Sequence, residues 1–392
     1  MALAEKLMLE FAADTLTGKP DRYLWTDAFA LLNFLELGVI TGKHEHLDLA
    51  HRLIDSVHSI LGRHRGDDDR TGWISGLSED EGLDHPTAGG LRIGKKLNER
   101  LPGEPYDPGL EWDRDGQYFH YLTKWMHALT VTGRSEGEPR YIRWAAELAR
   151  AAHEGFVAAG PEGKRMYWKM SIDLSRPLVP SMGQHDPIDG LTVYYEIRRT
   201  ASEIEKAGTA GSRGAATAGP VPGLEKQIAD LEEICAELSF ATDDPLGIGG
   251  LLFDAYRLGK IIASAESEWE TRLPLLEKLL TDVACGLRDF ARRFGKTPLS
   301  SRLAFRELGL AISLHAVLSL YELVEMNDRF VPRRRELVPI LEEIESCVFL
   351  SHEIESTWME PANRSSPLWL EHKNINSVML ATSLAPGGFL KV

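Results

Sequence analysis

The sequence predicts an all-α protein of the (α/α)6 class, one domain of six helical hairpins over residues 1–392. Three observations carry this. Apolar residues recur at helical spacing almost throughout. Twelve such segments alternate in character, amphipathic and charge-rich, then apolar and aromatic. The breaks between them alternate too, short and long. Half-exposed helices alternating with enclosed ones are what two concentric rings require. A solenoid of helix pairs needs a repeat of fixed length, and the pair spacing here is irregular.

In chain order, Leu3, Leu7, Phe11 and Leu16 mark a helix over 3–16, ended by Gly18 and Pro20. Leu24, Ala28, Leu31 and Leu35 mark 22–38, with Gly38 as its stop. Leu49, Leu53, Val57 and Ile60 mark 45–63. A long break over 64–113 follows, of the length that loops with a function reach. Helices are expected over 115–132 and 139–159, irregular chain over 160–184, and a helix over 187–206. Residues 207–223 are small and Gly-rich and read as a flexible surface connection. Further helices are expected near 224–240, 247–264, 268–294, 302–326, 335–356 and 372–384. The links entering the apolar helices are the long ones, so one rim carries the elaborate loops and the inner-helix N-termini, whose partial positive charge suits carboxylates.

Composition excludes several functions. With 59 acidic against 44 basic residues the net charge is −15, against general nucleic-acid binding. Cys235, Cys285 and Cys347 are far apart, giving neither a disulfide framework nor a zinc spacing. No signal-peptide pattern and no membrane-length apolar run is read, so the cytoplasm is the expected compartment. The run from Gly89 to Lys96 lacks both phosphate-loop spacings, and no H-E-x-x-H or G-x-S-x-G occurs. Neither cofactor nor metal is expected.

The elaborate rim gathers aromatic residues beside acids. Trp25 and Asp27 open the first inner helix, and Trp112, Asp113 and Asp115 the second. Gln184, His185, Asp186 and Asp189 open the third, Arg306 the fifth, and Trp369, Glu371 and His372 the sixth. His85, Arg92 and Trp168 lie in the long loops, and Gln117, His120 and Lys124 form a polar stripe running down to His127. Flat sugar faces stack on rings, and hydroxyls bond carboxylates, Arg and Gln, so the expected partner is a small saccharide substrate. The bland reading of each acid is an N-cap, and for Asp27 and Asp115 capping alone suffices. His127, deeper on the stripe, is expected to tie inner helices by buried hydrogen bonds.

Of two chemistries, hydrolysis is expected ahead of epimerisation. Asp113 or Asp115 opposite Asp186, Asp189 or Glu371 would form the acid–base pair of a glycoside hydrolase. Histidine pairs drawn from His85, His120, His127, His185, His315 and His372 would instead move a proton beside a carbonyl, as epimerases and isomerases do. A terpenoid lyase, isomerase or cyclase, and a non-catalytic interaction protein, are the remaining alternatives.

The paired helices and the Trp/Asp/His-rich rim resemble the six-hairpin glycosidase superfamily, which includes inverting glycoside hydrolases and the N-acylglucosamine and cellobiose 2-epimerases. The resemblance is architectural and spans the chain. It implies a carbohydrate-binding cavity at the inner-helix N-termini and assigns no catalytic residue.

Overall fold

The computed structural model describes residues 1–17, 21–161, 163–209, 219–265 and 269–392. Most of the expected connection at 207–223, namely 210–218, lies outside the described residues. The chain's contacts gather into two compact units, one of Ala12–Glu237, the other of Leu238–Val392 with Met1–Phe11.

The first unit follows α1 (Ala2–Thr15) with α2 (Leu24–Thr41), α3 (His44–Leu61), α4 (Glu79–Asp84) and α5 (Pro108–Asp113). After strand β1 (Gln117–Tyr118) come α6 (Phe119–Glu136) and α7 (Pro139–Phe156). Strands β2 (Val157–Gly160), β3 (Gly163–Met166), β4 (Lys169–Met170) and β5 (Pro177–Val179) precede α8 (Asp186–Thr209) and α9 (Glu225–Glu237). Helix α2 is buried from Leu24 through Leu35 without interruption, as an enclosed helix must be. Helix α3 buries Leu49, Leu53, Ile54, Val57 and Leu61, a single stripe at spacings of three and four. The enclosed helices α2, α6 and α8 pack side by side, backed by α3, α7 and α9. Gly42 ends α2 in the left-handed conformation, its N–H closing on Gly38.

Buried polar contacts tie these layers. Trp125 Nε1 donates to His58 Nε2 at 3.1 Å, and the His58 ring meets Trp125 and Trp144 edge-on. Burial pushes His58 down to about 3, so the imidazole is a neutral acceptor at neutral pH. His127 Nδ1 lies 2.9 Å from Glu196 Oε2 with both side chains fully enclosed, joining α6 to α8 as the stripe suggested.

In the second unit α10 (Pro245–Ser264), α11 (Leu273–Arg293), α12 (Ala304–Leu314), α13 (Val317–Met326), α14 (Arg334–Glu345) and α15 (Phe349–Met359) lead to α16 (Pro361–Arg364), α17 (Pro367–Glu371) and α18 (Lys373–Leu384). Helices α10, α12 and α18 are the enclosed ones here; α11 packs behind α10, and α15 behind α12. Two expected long helices are each split in two, 302–326 at His315–Ala316 and 335–356 at Ser346–Val348.

Three further departures matter. The helix expected over 115–132 begins at Phe119, because Gln117 and Tyr118 pair as a strand with Met170 and Lys169. Asp115 therefore lies outside the first turn of α6, and Asp113 is the last residue of α5. The helix expected over 139–159 ends at Phe156, just before β2, and the stretch 160–184, expected to be irregular, holds β3 and the β4–β5 pair. The stretches 24–41 and 304–326 are also apolar enough to cross a membrane, yet 72% and 67% of them are buried within the fold. Their apolarity is that of enclosed helices.

Candidate active site

In the unit of Ala12–Glu237, three helix starts converge. At α2, Asp27 accepts the N–H of Tyr23 at 3.1 Å and stands 3.5 Å from Arg22 Nη1. Burial pushes its carboxyl up to about 6, against the opposing charge of Arg22. Asp27 thus caps the helix from inside and serves no open face.

Trp25, two residues before Asp27, belongs to a continuous aromatic wall. Its ring centroid lies 5.4 Å from Tyr121 and 6.0 Å from His120. His120 is 4.8 Å from Tyr121 and 5.4 Å from Tyr118, on which it stacks. Tyr118 reaches Trp168 at 5.6 Å, and Trp168 reaches Trp112 at 5.6 Å. The hydroxyls of Tyr23 and Tyr121 are 2.5 Å apart and share a hydrogen bond. Trp112 is 55% exposed, so the wall runs from the interior to the surface.

The polar stripe of α6 meets the acids of α8 as a ladder. Lys124 Nζ is 2.8 Å from both oxygens of Asp189, and Thr123 donates to the same carboxylate at 2.5 Å. His127 meets Glu196 at 2.9 Å. Both rungs are buried and closed. The rung nearest the start of α6 is different: His120 Nδ1 is 3.5 Å from Asp186 Oδ1, beyond good hydrogen-bond length. The His120 side chain is 29% exposed, and neither its Nδ1 nor Asp186 Oδ2 makes a hydrogen bond. An acid and a base thus stand beside each other, unengaged, against a wall of rings.

The other expected site residues of this unit are placed as follows. Asp115 is completely buried; its carboxylate accepts from Arg92, Arg65 and the N–H groups of Gly94 and Gly116. Arg92 is spent on that carboxylate and on the carbonyls of Arg63 and Ile60. Gln117 lies in β1 and not on the helix, and its amide serves Leu91 N–H and the carbonyls of Gly89 and Ile172. A Cβ at Gly90 would strike that amide, and Gly90 has φ +79°, which explains glycine there. His85 Nδ1 bonds Glu147 at 2.6 Å, away from the ring wall. Asp113 and Gln184 are exposed, and His185 is half-buried in the turn before α8.

In the other unit, Arg302 grips Glu307 through two bonds of 2.6 and 2.7 Å, and Trp358 Nε1 donates to Glu307 at 2.9 Å. Arg306 bonds Asp244 at 2.8 Å. A cavity of about 220 Å³ opens among Arg293, Phe294, Arg302 and Arg306. Trp369 stacks on Trp358 with centroids 5.8 Å apart, His372 meets Phe305 edge-on, and Glu371 is exposed. Among the described residues no three of His, Cys, Asp and Glu converge as a metal-binding set.

Sequence reasoning missed Tyr23, Tyr121 and Lys95. The first two had a signal: each neighbours a residue singled out, Tyr23 two before Trp25 and Tyr121 beside His120. Lys95 lies in the run from Gly89 to Lys96, whose failure to match a phosphate-loop spacing leaves its lysines no assigned role.

No family model matches the sequence, and no curated protein matches it. Its structure is similar to that of a cellobiose 2-epimerase from Bacillus thermoamylovorans, with a TM-score of 0.50 and 10% identity, covering 98% of this chain and 99% of that one. The fold is of the (α/α)6 class. The alternation of helices implied this fold. At such low identity the likeness concerns the path of the chain, and the chemistry rests on this protein's own residues.

Proposed function

We propose that this protein is a carbohydrate-active enzyme that moves a proton at the carbon next to the carbonyl of a reducing sugar, an epimerase or isomerase. The observation that carries the reading is the open His120–Asp186 rung, 3.5 Å apart, at the mouth of an aromatic wall. The name of the structurally similar protein, a cellobiose 2-epimerase, supports the same class.

In this reading the sugar ring opens and its carbon chain lies against Trp25 and Tyr118, whose faces bind C–H surface. His120 accepts the proton from C2, and Asp186 stabilises the resulting imidazolium. The electron pair left on C2 shifts to the carbonyl oxygen, giving an enediolate. Of the paired hydroxyls of Tyr23 and Tyr121, the one that accepts the bond between them donates its own proton to that oxygen. When the enediolate turns its opposite face of C2 to His120, the imidazolium returns the proton there and yields the epimer; return of that proton to C1 yields the ketose. The Asp115–Asp189 pairing of a hydrolase has less support, since both carboxylates are engaged.

The test is proton exchange. Incubating the protein with reducing mono- and disaccharides in D2O, followed by NMR, is expected to show deuterium entering C2. Cleavage of a disaccharide without such exchange would instead establish a hydrolase.

A further inference from the structure

We infer that Lys95 is a substrate-recognition residue for an acidic sugar, one carrying a carboxylate or a phosphate group; this rests on the carbohydrate reading above. Lys95 lies in the loop between α4 and α5. Its main chain is fixed on both sides: the Gly94 N–H donates to Asp115 at 2.9 Å, and the Lys95 carbonyl accepts from Arg65 at 2.6 Å. Its side chain is not fixed by any polar partner. The ammonium stands 5.4 Å from the centroid of the Tyr23 ring, and Tyr23 is bonded through its hydroxyl to Tyr121, the neighbour of His120. A cation therefore sits at the edge of the aromatic wall.

That cation makes no hydrogen bond and no ion pair with a described residue. Four other cations of this unit are committed, Lys124 to Asp189, Lys169 to Glu111, and Arg65 and Arg92 to Asp115, and the adjacent Lys96 is exposed to water. The acids whose charge reaches Lys95 are Asp113 and Asp115. Asp115 is saturated by four donors, and Asp113 is exposed to water, which screens it. Burial holds the Lys95 amine below its ordinary pKa in spite of both acids. A half-buried amine without a counter-ion gains most from a ligand that brings the missing negative charge, because charge-assisted hydrogen bonds are about twice as strong as neutral ones. A neutral hydroxyl supplies no such charge.

Calorimetric titration of the full chain with glucose, cellobiose, glucuronate and glucose 6-phosphate tests this, using wild type and Lys95→Gln. Glucuronate or glucose 6-phosphate is expected to bind wild type at least about tenfold more tightly than glucose. Lys95→Gln is expected to erase that advantage while changing glucose affinity less than about twofold. The stronger of the two acidic ligands identifies carboxylate or phosphate as the group recognised. Equal binding of acidic and neutral sugars, or an advantage that survives in Lys95→Gln, overturns the role of Lys95 and leaves the carbohydrate reading standing. Failure of all four sugars to bind overturns both.

Discussion

The two units solve the same structural problem with different side chains. Each sets three enclosed helices beside one another and brings charged residues to their starts. In the unit of Leu238–Val392 those charges are closed: Arg302 and Trp358 both hold Glu307, and Arg306 holds Asp244. In the unit of Ala12–Glu237 the ladder from α6 to α8 is closed at Lys124 and His127 but open at His120. Closed pairs specify how helices meet. An acid and a base left unengaged beside a ring wall cost stability, and such groups are retained where chemistry uses them.

The comparison breaks most visibly in turnover. His120→Asn is expected to lower C2 exchange about a thousandfold with an unchanged melting temperature, the scale of a lost general base. Arg306→Gln should leave exchange within a fewfold, and an equal loss in both variants would erase the distinction between the units. Next in size is Glu307→Ala. It leaves the nearly buried Arg302 and the Trp358 N–H without their acceptor, and denaturant unfolding should register a loss of about 3–5 kcal/mol.

Asp27 sharpens the comparison through pH. An unfolded Asp ionises near 3.8, the folded one near 6. Below pH 3.8 both states are protonated and the stability is fully present; it is lost as pH rises through about 6, where folding holds an ionised carboxylate in the interior. The loss is on the order of 3 kcal/mol. Urea unfolding at pH 4 and pH 7 should therefore show Asp27→Asn gaining on wild type by that amount at the higher pH. A constant difference between the two proteins would mean that Asp27 ionises normally. The smallest effect is expected at Asp113. Exposed and at the end of α5, Asp113→Asn should leave stability within about 0.5 kcal/mol, and an exchange assay should find turnover within twofold.

Much of the fold was legible because helix periodicity is local. The expected 22–38, 45–63 and 187–206 stand within a few residues of α2, α3 and α8. The start of α6 was misplaced because Gln117 and Tyr118 satisfy helical spacing as well as strand pairing. Their pairing partners, Met170 and Lys169, lie some fifty residues on and leave no mark in the local pattern. Of the candidate site, His120, Asp186, Trp25, Trp112 and Trp168 are brought into one neighbourhood. Asp115, Gln117 and Arg92 are brought instead into a buried network that fixes the loop before α6.

The sequence by itself determined that the chain is helical and which helices are enclosed, because each follows from spacing within one or two turns. It could not determine which acids are free. Lys124 and Asp189 are 65 residues apart, and Arg92 reaches Asp115 across a loop. Whether a carboxylate is a cap, a counter-ion or a working group depends on the partner that packing brings to it. Tertiary structure alone closed two rungs of one ladder and left the third, at His120, open.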